Sequence, residues 1–180
     1  MVASNLKFHP DAAFVVAGQP ITQTQFFADI AAYQSKLTAL KAGSHVVLFH
    51  PDTYQFAVRL FALACSGYNV ILPPNGQHET LSLLLAQSAF FAGDATNIND
   101  DVLFTNLEQS LGHTPLQTNR LQWPTNTAVI FYTSGSSGQS KPIVKPWRVL
   151  NRELAVLSMS FDLPSQFTFL ATVSHQHIYG

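Results

Sequence analysis

Apolar positions along the chain follow two rhythms. Short, nearly continuous apolar runs alternate with longer stretches in which apolar residues recur every three or four positions. His45-Val46-Val47-Leu48-Phe49-His50, Asn69-Val70-Ile71-Leu72 and Ala128-Val129-Ile130-Phe131-Tyr132 are runs of the first kind. Unbroken rather than alternating apolar character suits parallel strands covered on both faces. Asp101-Val102-Leu103-Phe104 reads as a further short strand, and Phe167-Thr168-Phe169-Leu170-Ala171-Thr172-Val173 as a longer one. Near the start, Ala13 to Ala17 and Ile21 flank Gly18-Gln19-Pro20, which predicts a hairpin with a glycine turn.

The helical rhythm appears four times. Thr22-x-x-Gln25 offers a capping box for a helix running to Leu40, with Phe26, Phe27, Ile30, Ala31 and Leu37 at its spacing and Gly43 as its stop. Asp52 can cap a helix over Tyr54 to Ser66 that gathers Phe56, Leu60, Leu63 and Ala64 on one side, with Gly67 ending it. His78 to Phe91 reads as a third helix. A fourth spans about 147–160, carrying Val149, Leu150, Leu154, Val156 and Leu157, with Pro164 beyond its end.

A β-α-β-α-β order predicts an α/β fold, a doubly wound and mostly parallel sheet flanked by helices. The polar, irregular stretch at about 107–126 reads as a connection between a first α/β unit at about 1–106 and the start of a second at 127–180.

Composition narrows the class. Of 180 residues, 47% are apolar and only 11% charged, which excludes a disordered chain. The formal net charge is −1 and no basic block is present, so nucleic acid is not an expected partner. Such low charge beside 14 phenylalanines implies that part of the surface expects cover from another segment or chain. A homodimer would be one way to supply it. The single cysteine, Cys65, cannot form an internal disulfide, and residues 1–10 lack the basic and apolar regions of a signal peptide. No apolar run is long enough to cross a bilayer. A cytoplasmic location is the expectation.

Chemistry concentrates after the strand at 128–132. Thr133-Ser134-Gly135-Ser136-Ser137-Gly138-Gln139-Ser140-Lys141 supplies hydroxyls, two glycines and one lysine, with no large apolar side chain until Ile143. Glycine permits the backbone angles that let several N–H groups converge on one anion, hydroxyls add donors, and a lysine adds a mobile positive charge. Such a loop suits a polyphosphate. A flexible Ser/Gly linker shares the composition, but a linker is not flanked by a tight strand and a helical run. Neither G-x-x-x-x-G-K-[ST] nor the nucleophile elbow G-x-S-x-G fits the spacing of Gly135, Gly138 and Lys141.

The stretch resembles the signature loop of the adenylate-forming (AMP-binding) superfamily, Y-T-S-G-[ST]-[TS]-G-x-P-K-G. It matches at Tyr132 to Gly138 and again at Lys141, and departs at Ser140 (usually proline) and Pro142 (usually glycine). Pro142 has no amide to offer a phosphate. Gly18-Gln19-Pro20-Ile21-Thr22-Gln23-Thr24-Gln25-Phe26 looks like a variant of the family's opening. The superfamily holds acyl-CoA synthetases, aryl-CoA ligases, luciferases and peptide-synthetase adenylation domains.

His175-Gln176-His177 would place two imidazoles on one side of an extended chain, which could suit a metal or leave two bland surface histidines. The resemblance gives a sharper reading. His177-Ile178-Tyr179-Gly180 looks like the family's next motif, whose histidine lies beside the carboxylate of the bound acid. His177 would orient that carboxylate toward the α-phosphate. His175 receives no role from the resemblance.

The resemblance therefore implies a ligase. A carboxylic acid, fatty or aryl given the apolar composition, attacks ATP to give an acyl-adenylate. The acyl group then passes to a thiol, on CoA or on the phosphopantetheine of an acyl carrier protein. That chemistry would place the protein in fatty acid metabolism. Thr133, Ser134, Gly135, Ser136, Ser137, Gly138 and Lys141 would hold the phosphates, and His177 would seat the acid. The family's Mg²⁺-associated Glu, ribose-binding Asp, hinge and adenylation lysine cannot be located here. The chain is thus expected to be an N-terminal part of such an enzyme, inactive alone. Other classes stay open: a non-catalytic interaction module of the same fold, and a hydrolase using His175, His177 and a loop serine.

Overall fold

The computed structural model describes residues 13–16, 20–37, 40–88, 90–99, 101–109, 126–133, 141–161 and 175. Strands β1 (Ala13–Val16) and β2 (Pro20–Thr22) pair antiparallel, with Val16 opposite Pro20. The predicted glycine turn between them lies outside the described residues. Helix α1 (Gln23–Gln34) follows at once, capped by the Thr22 hydroxyl, which accepts from the Gln25 amide at 3.2 Å. The return half of the capping box is not made, because the Gln25 side chain donates to Asp29 at 2.7 Å instead. α1 stops well short of Leu40. The Ser35 hydroxyl donates back to the Ala32 carbonyl at 2.7 Å there, and Leu37 turns into the core. Gly43, at φ +84°, serves the turn into the next strand rather than the helix end.

The main sheet comprises β3 (His45–Phe49), β4 (Asn69–Leu72), β5 (Phe90–Gly93), β6 (Thr105–Asn106), β7 (Ala128–Thr133) and β8 (Lys141–Pro146). Their order is β6-β5-β3-β4-β7-β8, parallel throughout except for the β7–β8 pair. Strands from both sides of the 107–126 stretch thus share one sheet. Helices α2 (Thr53–Cys65), α3 (His78–Ser88) and α4 (Trp147–Ser160) and a short helical turn at Leu107–Gln109 complete the described elements. Asp52 caps α2 as its position foretells, accepting from the Gln55 amide at 2.8 Å, and Gly67 follows the helix at φ +87°.

Right-handed crossovers explain the layers. From β3 the chain moves to one neighbour, β4, through α2; from β4 it crosses back to the other neighbour, β5, through α3. Opposite directions with one handedness put α2 and α3 on opposite faces. Val46, Leu48, Val70, Leu72 and Val129 face α1 and α2, where Phe26, Ile30, Leu63 and Trp147 meet them. Val47, Ile71, Phe91 and Ile130 face α3 and its Leu81, Leu84 and Leu85. Each fully buried side chain of this size contributes about 1.5–3 kcal/mol.

Two further expectations need correction. The helix read through Phe91 ends at Ser88, and Phe90 and Phe91 belong to β5. The Ser88 hydroxyl caps the break, lying 3.3 Å from the Phe90 amide and 3.1 Å from its carbonyl. The strand read at Asp101–Phe104 is a turn, and pairing begins only at Thr105. Phe104 meets the Phe91 ring edge-on at 5.7 Å instead, while Leu103 stands exposed. β8 was not foreseen at all. The strand read at 167–173 lies outside the described residues. Of the apolar residues read along α4, only Val149 and Leu150 are half-buried, while Leu154, Val156 and Leu157 are exposed. Among the described residues no helix is long and apolar enough to cross a membrane.

Gly93 lets β5 lie against β3. At φ +122° it sits where L side chains are strained, and a Cβ there would fall 1.9 Å from the Phe49 carbonyl oxygen. Beside it lies the main polar joint of the fold. Glu108, in the short helical turn Leu107–Gln109, takes both Arg59 Nε and Nη2 at 2.8 and 2.7 Å. It also accepts from the Tyr33 hydroxyl at 2.8 Å and the Gly93 amide at 3.0 Å. Burial would raise its pKa, but the Arg59 hydrogen bonds and charge, with Tyr33 and Gly93, hold it below the ordinary carboxylate value. The joint's stabilisation is therefore complete above the unfolded carboxylate pKa and is lost as pH falls through the lower folded value. We expect Glu108→Ala to cost about 3 kcal/mol at pH 7, because Arg59 is left buried without its partner. Urea unfolding should show the deficit shrinking toward acid pH. A loss below about 1 kcal/mol at pH 7 would contradict the assignment.

Candidate active site at the carboxyl edge of the sheet

Because β3, β4, β5 and β7 run parallel, the segments that follow them leave from one edge. In open α/β sheets ligands bind outside the carboxyl ends of the strands, where the chain reverses its direction of winding. Here that reversal falls at β3, whose neighbours β4 and β5 are reached in opposite directions.

β7 and β8 frame the glycine-serine loop. Thr133 ends β7, Lys141 begins β8, and the two are Cα partners in the antiparallel register. Tyr132 opposes Pro142 in the next rung. The loop is thus tied at its neck, with Lys141 exposed at the base. Two prolines, Pro142 and Pro146, make β8 an unpromising strand in sequence. They lie at the same parity of an outermost strand, so neither missing N–H breaks the ladder to β7. Ser134, Gly135, Ser136, Ser137 and Gly138 lie outside the described residues, as does His177.

At the winding reversal the structure assembles residues that sequence reasoning passed over. His50 follows β3, and its Nδ1 accepts from the Asp52 amide at 3.0 Å. Asp94 follows β5, donates its amide to the Phe49 carbonyl at 3.0 Å, and accepts from the Thr96 amide at 3.0 Å. The Thr96 bond is the main reason that Asp94 stays below its ordinary pKa, and His50 adds to it. His175 sits on this corner. Its Nε2 lies 2.9 Å from the His50 carbonyl and its Nδ1 3.1 Å from the Thr53 hydroxyl, with the ring 4.6 Å from that of Phe56. A carbonyl only accepts, so Nε2 carries the proton, and in the neutral ring Nδ1 accepts from Thr53. No local signal marks these partners, since they are 122 and 125 residues away.

Both ring nitrogens of His175 are therefore engaged, which removes one ligand from a His-x-His metal site. Among the described residues no group of three or more His, Cys, Asp or Glu could hold a metal ion. A separate cleft of about 240 Å³ lies between α1 and α2, lined by Asp29, Tyr33, Lys36, Gln55 and Arg59. It contains none of the predicted site residues. Cys65 has no place in the site either, as burial pushes its thiol up to about 12.

Comparison with known proteins fits this geometry. No protein-family model matches the chain. A 4-coumarate–CoA ligase-like 4 protein of Oryza sativa subsp. japonica is 24% identical over 201 aligned residues, covering 91% of this chain. This chain is similar to adenylate-forming enzymes. It spans 36% of the length of that relative. Among solved structures, the o-succinylbenzoate CoA synthetase MenE of Bacillus subtilis, in complex with its acyl-adenylate OSB-AMP, superposes with a TM-score of 0.62 over 82% of this chain and 41% of its own, at 15% identity. The N-terminal subdomain of Klebsiella oxytoca NpsA gives 0.56 over 72% of this chain and 36% of its own, at 18% identity. The fold is that of the N-terminal region of adenylate-forming enzymes.

Burial, followed by the Arg59 charge, lowers the His50 pKa, and Asp52 and Asp94 do not offset it. His50 should therefore be neutral at pH 7 and titrate below 6.5 when its imidazole is followed by NMR. A midpoint at or above 6.5 would contradict the described surroundings of the ring.

Proposed function

We propose that this chain supplies the phosphate-binding and acid-orienting part of an ATP-dependent carboxylic acid ligase. The observation that carries the reading is the register Thr133↔Lys141. It brings the two ends of the hydroxyl- and glycine-rich stretch together at the carboxyl edge of a parallel sheet, the edge on which His175 also sits. Backbone amides and hydroxyls of Thr133 to Gly138, with Lys141, would hold the phosphates of ATP, and His177 would orient the acid's carboxylate for in-line attack on the α-phosphate. Positioning and charge neutralisation carry such a reaction, with no protein nucleophile required. The products of the first step are an acyl-adenylate and pyrophosphate, and a thiol then accepts the acyl group.

A fatty or aryl acid is the substrate class we favour. The acceptor is CoA or a carrier-protein phosphopantetheine, and both kinds of partner occur around this fold. MenE is a CoA synthetase, and NpsA has been studied as an artificial fusion of adenylation and carrier domains. One MenE structure contains ATP and a magnesium ion. Mg²⁺ here would need carboxylates from beyond the described residues. A second reading, a non-catalytic module of the same fold, draws on the departures at Ser140 and Pro142.

Acid-dependent exchange of labelled pyrophosphate into ATP by the full-length protein tests the proposal, with octanoate, benzoate and 4-hydroxycinnamate as probe acids. We expect exchange with at least one of them and none from these 180 residues alone. Lys141 is exposed, so Lys141→Ala should keep the melting temperature while lowering exchange by about 10²-fold. Folded full-length protein with no exchange for any probe acid would favour the non-catalytic module.

A further inference from the structure

The anchoring of His175 goes beyond what the family motif provides, since that motif gives this position no task. Several contacts converge on one ring from two elements: the β3 carboxyl end through the His50 carbonyl, and the first turn of α2 through Thr53 and Phe56. Phe56 is 5% exposed and packed into the core, so the surface on which the imidazole rests is rigid. The Thr53 backbone lies beside the Asp52 cap, which fixes the helix start. Imidazole is well suited to this corner. It donates from one nitrogen, accepts at the other and packs its ring at a tilt against Phe56, and no aliphatic side chain can do all three.

We propose that His175 is a positioning residue for adenylate formation. Its bridge between the His50 carbonyl and the Thr53 hydroxyl fixes the chain two residues before His177, and with it the place from which His177 meets the acid's carboxylate. This rests on the ligase reading given above. An orienting group displaced by about 1 Å can cost about 10²-fold in rate. The effect should fall on the acid rather than on ATP, whose phosphates are held from the β7–β8 loop.

The test uses steady-state pyrophosphate exchange by full-length protein, with whichever probe acid supports it. His175→Leu and Thr53→Val should each lower kcat/KM for the acid, His175→Leu by about 10- to 100-fold, with the KM for ATP within about twofold of wild type. The double variant should be no worse than His175→Leu alone, because both remove one bridge. His175→Gln, which keeps a donor for the His50 carbonyl, should recover part of the loss. A role in stability alone would lower the amount of active enzyme without moving either KM, and the Gln variant would not rescue acid kinetics. Unchanged acid kinetics in His175→Leu, or equal changes for acid and ATP, would overturn the positioning role while leaving the ligase reading intact. Absence of exchange in the wild type would overturn both.

Discussion

One carboxylate holds the layers of this fold in register. Glu108 bonds Tyr33 from α1, Arg59 from α2 and the Gly93 amide at the end of β5. Hydrophobic contact alone tolerates sliding of helices over a sheet, because it is non-directional. Four directional bonds from three elements to one half-buried group do not. Gly93 sharpens the constraint, since the β5 end lies so close to Phe49 that no Cβ fits between them. The result is a fixed separation of β3 and β5 at their carboxyl ends, where His50 and Asp94 emerge. The polar joint is therefore connected to the candidate site through only a few bonds, although it takes no part in the proposed chemistry.

The edge so defined carries the functional argument. All four central strands point toward it, the glycine-serine loop is slung from it between Thr133 and Lys141, and His175 docks on it from far along the chain. Electrostatics there are modest. Burial and Arg59 keep His50 biased toward its neutral form, and a hydrogen bond from Thr96 keeps Asp94 biased toward its anion. Such a corner suits precise placement of the segment that follows His175 better than it suits acid–base catalysis. A reaction driven by alignment of a carboxylate with a phosphate asks for that kind of site.

Features with local causes could be read from the sequence. Continuous apolar runs gave β3, β4 and β7, and Asp52 announced the start of α2 three residues before its bond to Gln55. The doubly wound class followed from their order. Failures arose where long-range packing overruled local pattern. Apolar spacing continues from α3 into Phe90 and Phe91, and only pairing with β3 turns those residues into a strand. Two prolines hid β8, which tolerates them because it lies at the edge. For the candidate site, residue type and spacing propose the loop motif, Lys141 and His177, and the structure adds that Thr133 and Lys141 face each other across β7 and β8. The His175 bridge was not legible, as its partners are joined to it only by the fold.

The central claim is that the β7–β8 loop and the His175 corner face one bound nucleotide and acid. A crystal structure of the full-length protein with a non-hydrolysable acyl-adenylate analogue tests it most directly. The account requires the analogue's phosphate-mimicking group between the loop at 134–140 and His177, with His175 still bonded to Thr53 and the His50 carbonyl. An analogue bound elsewhere, for example in the cleft between α1 and α2, or a His175 displaced from this corner, would contradict it.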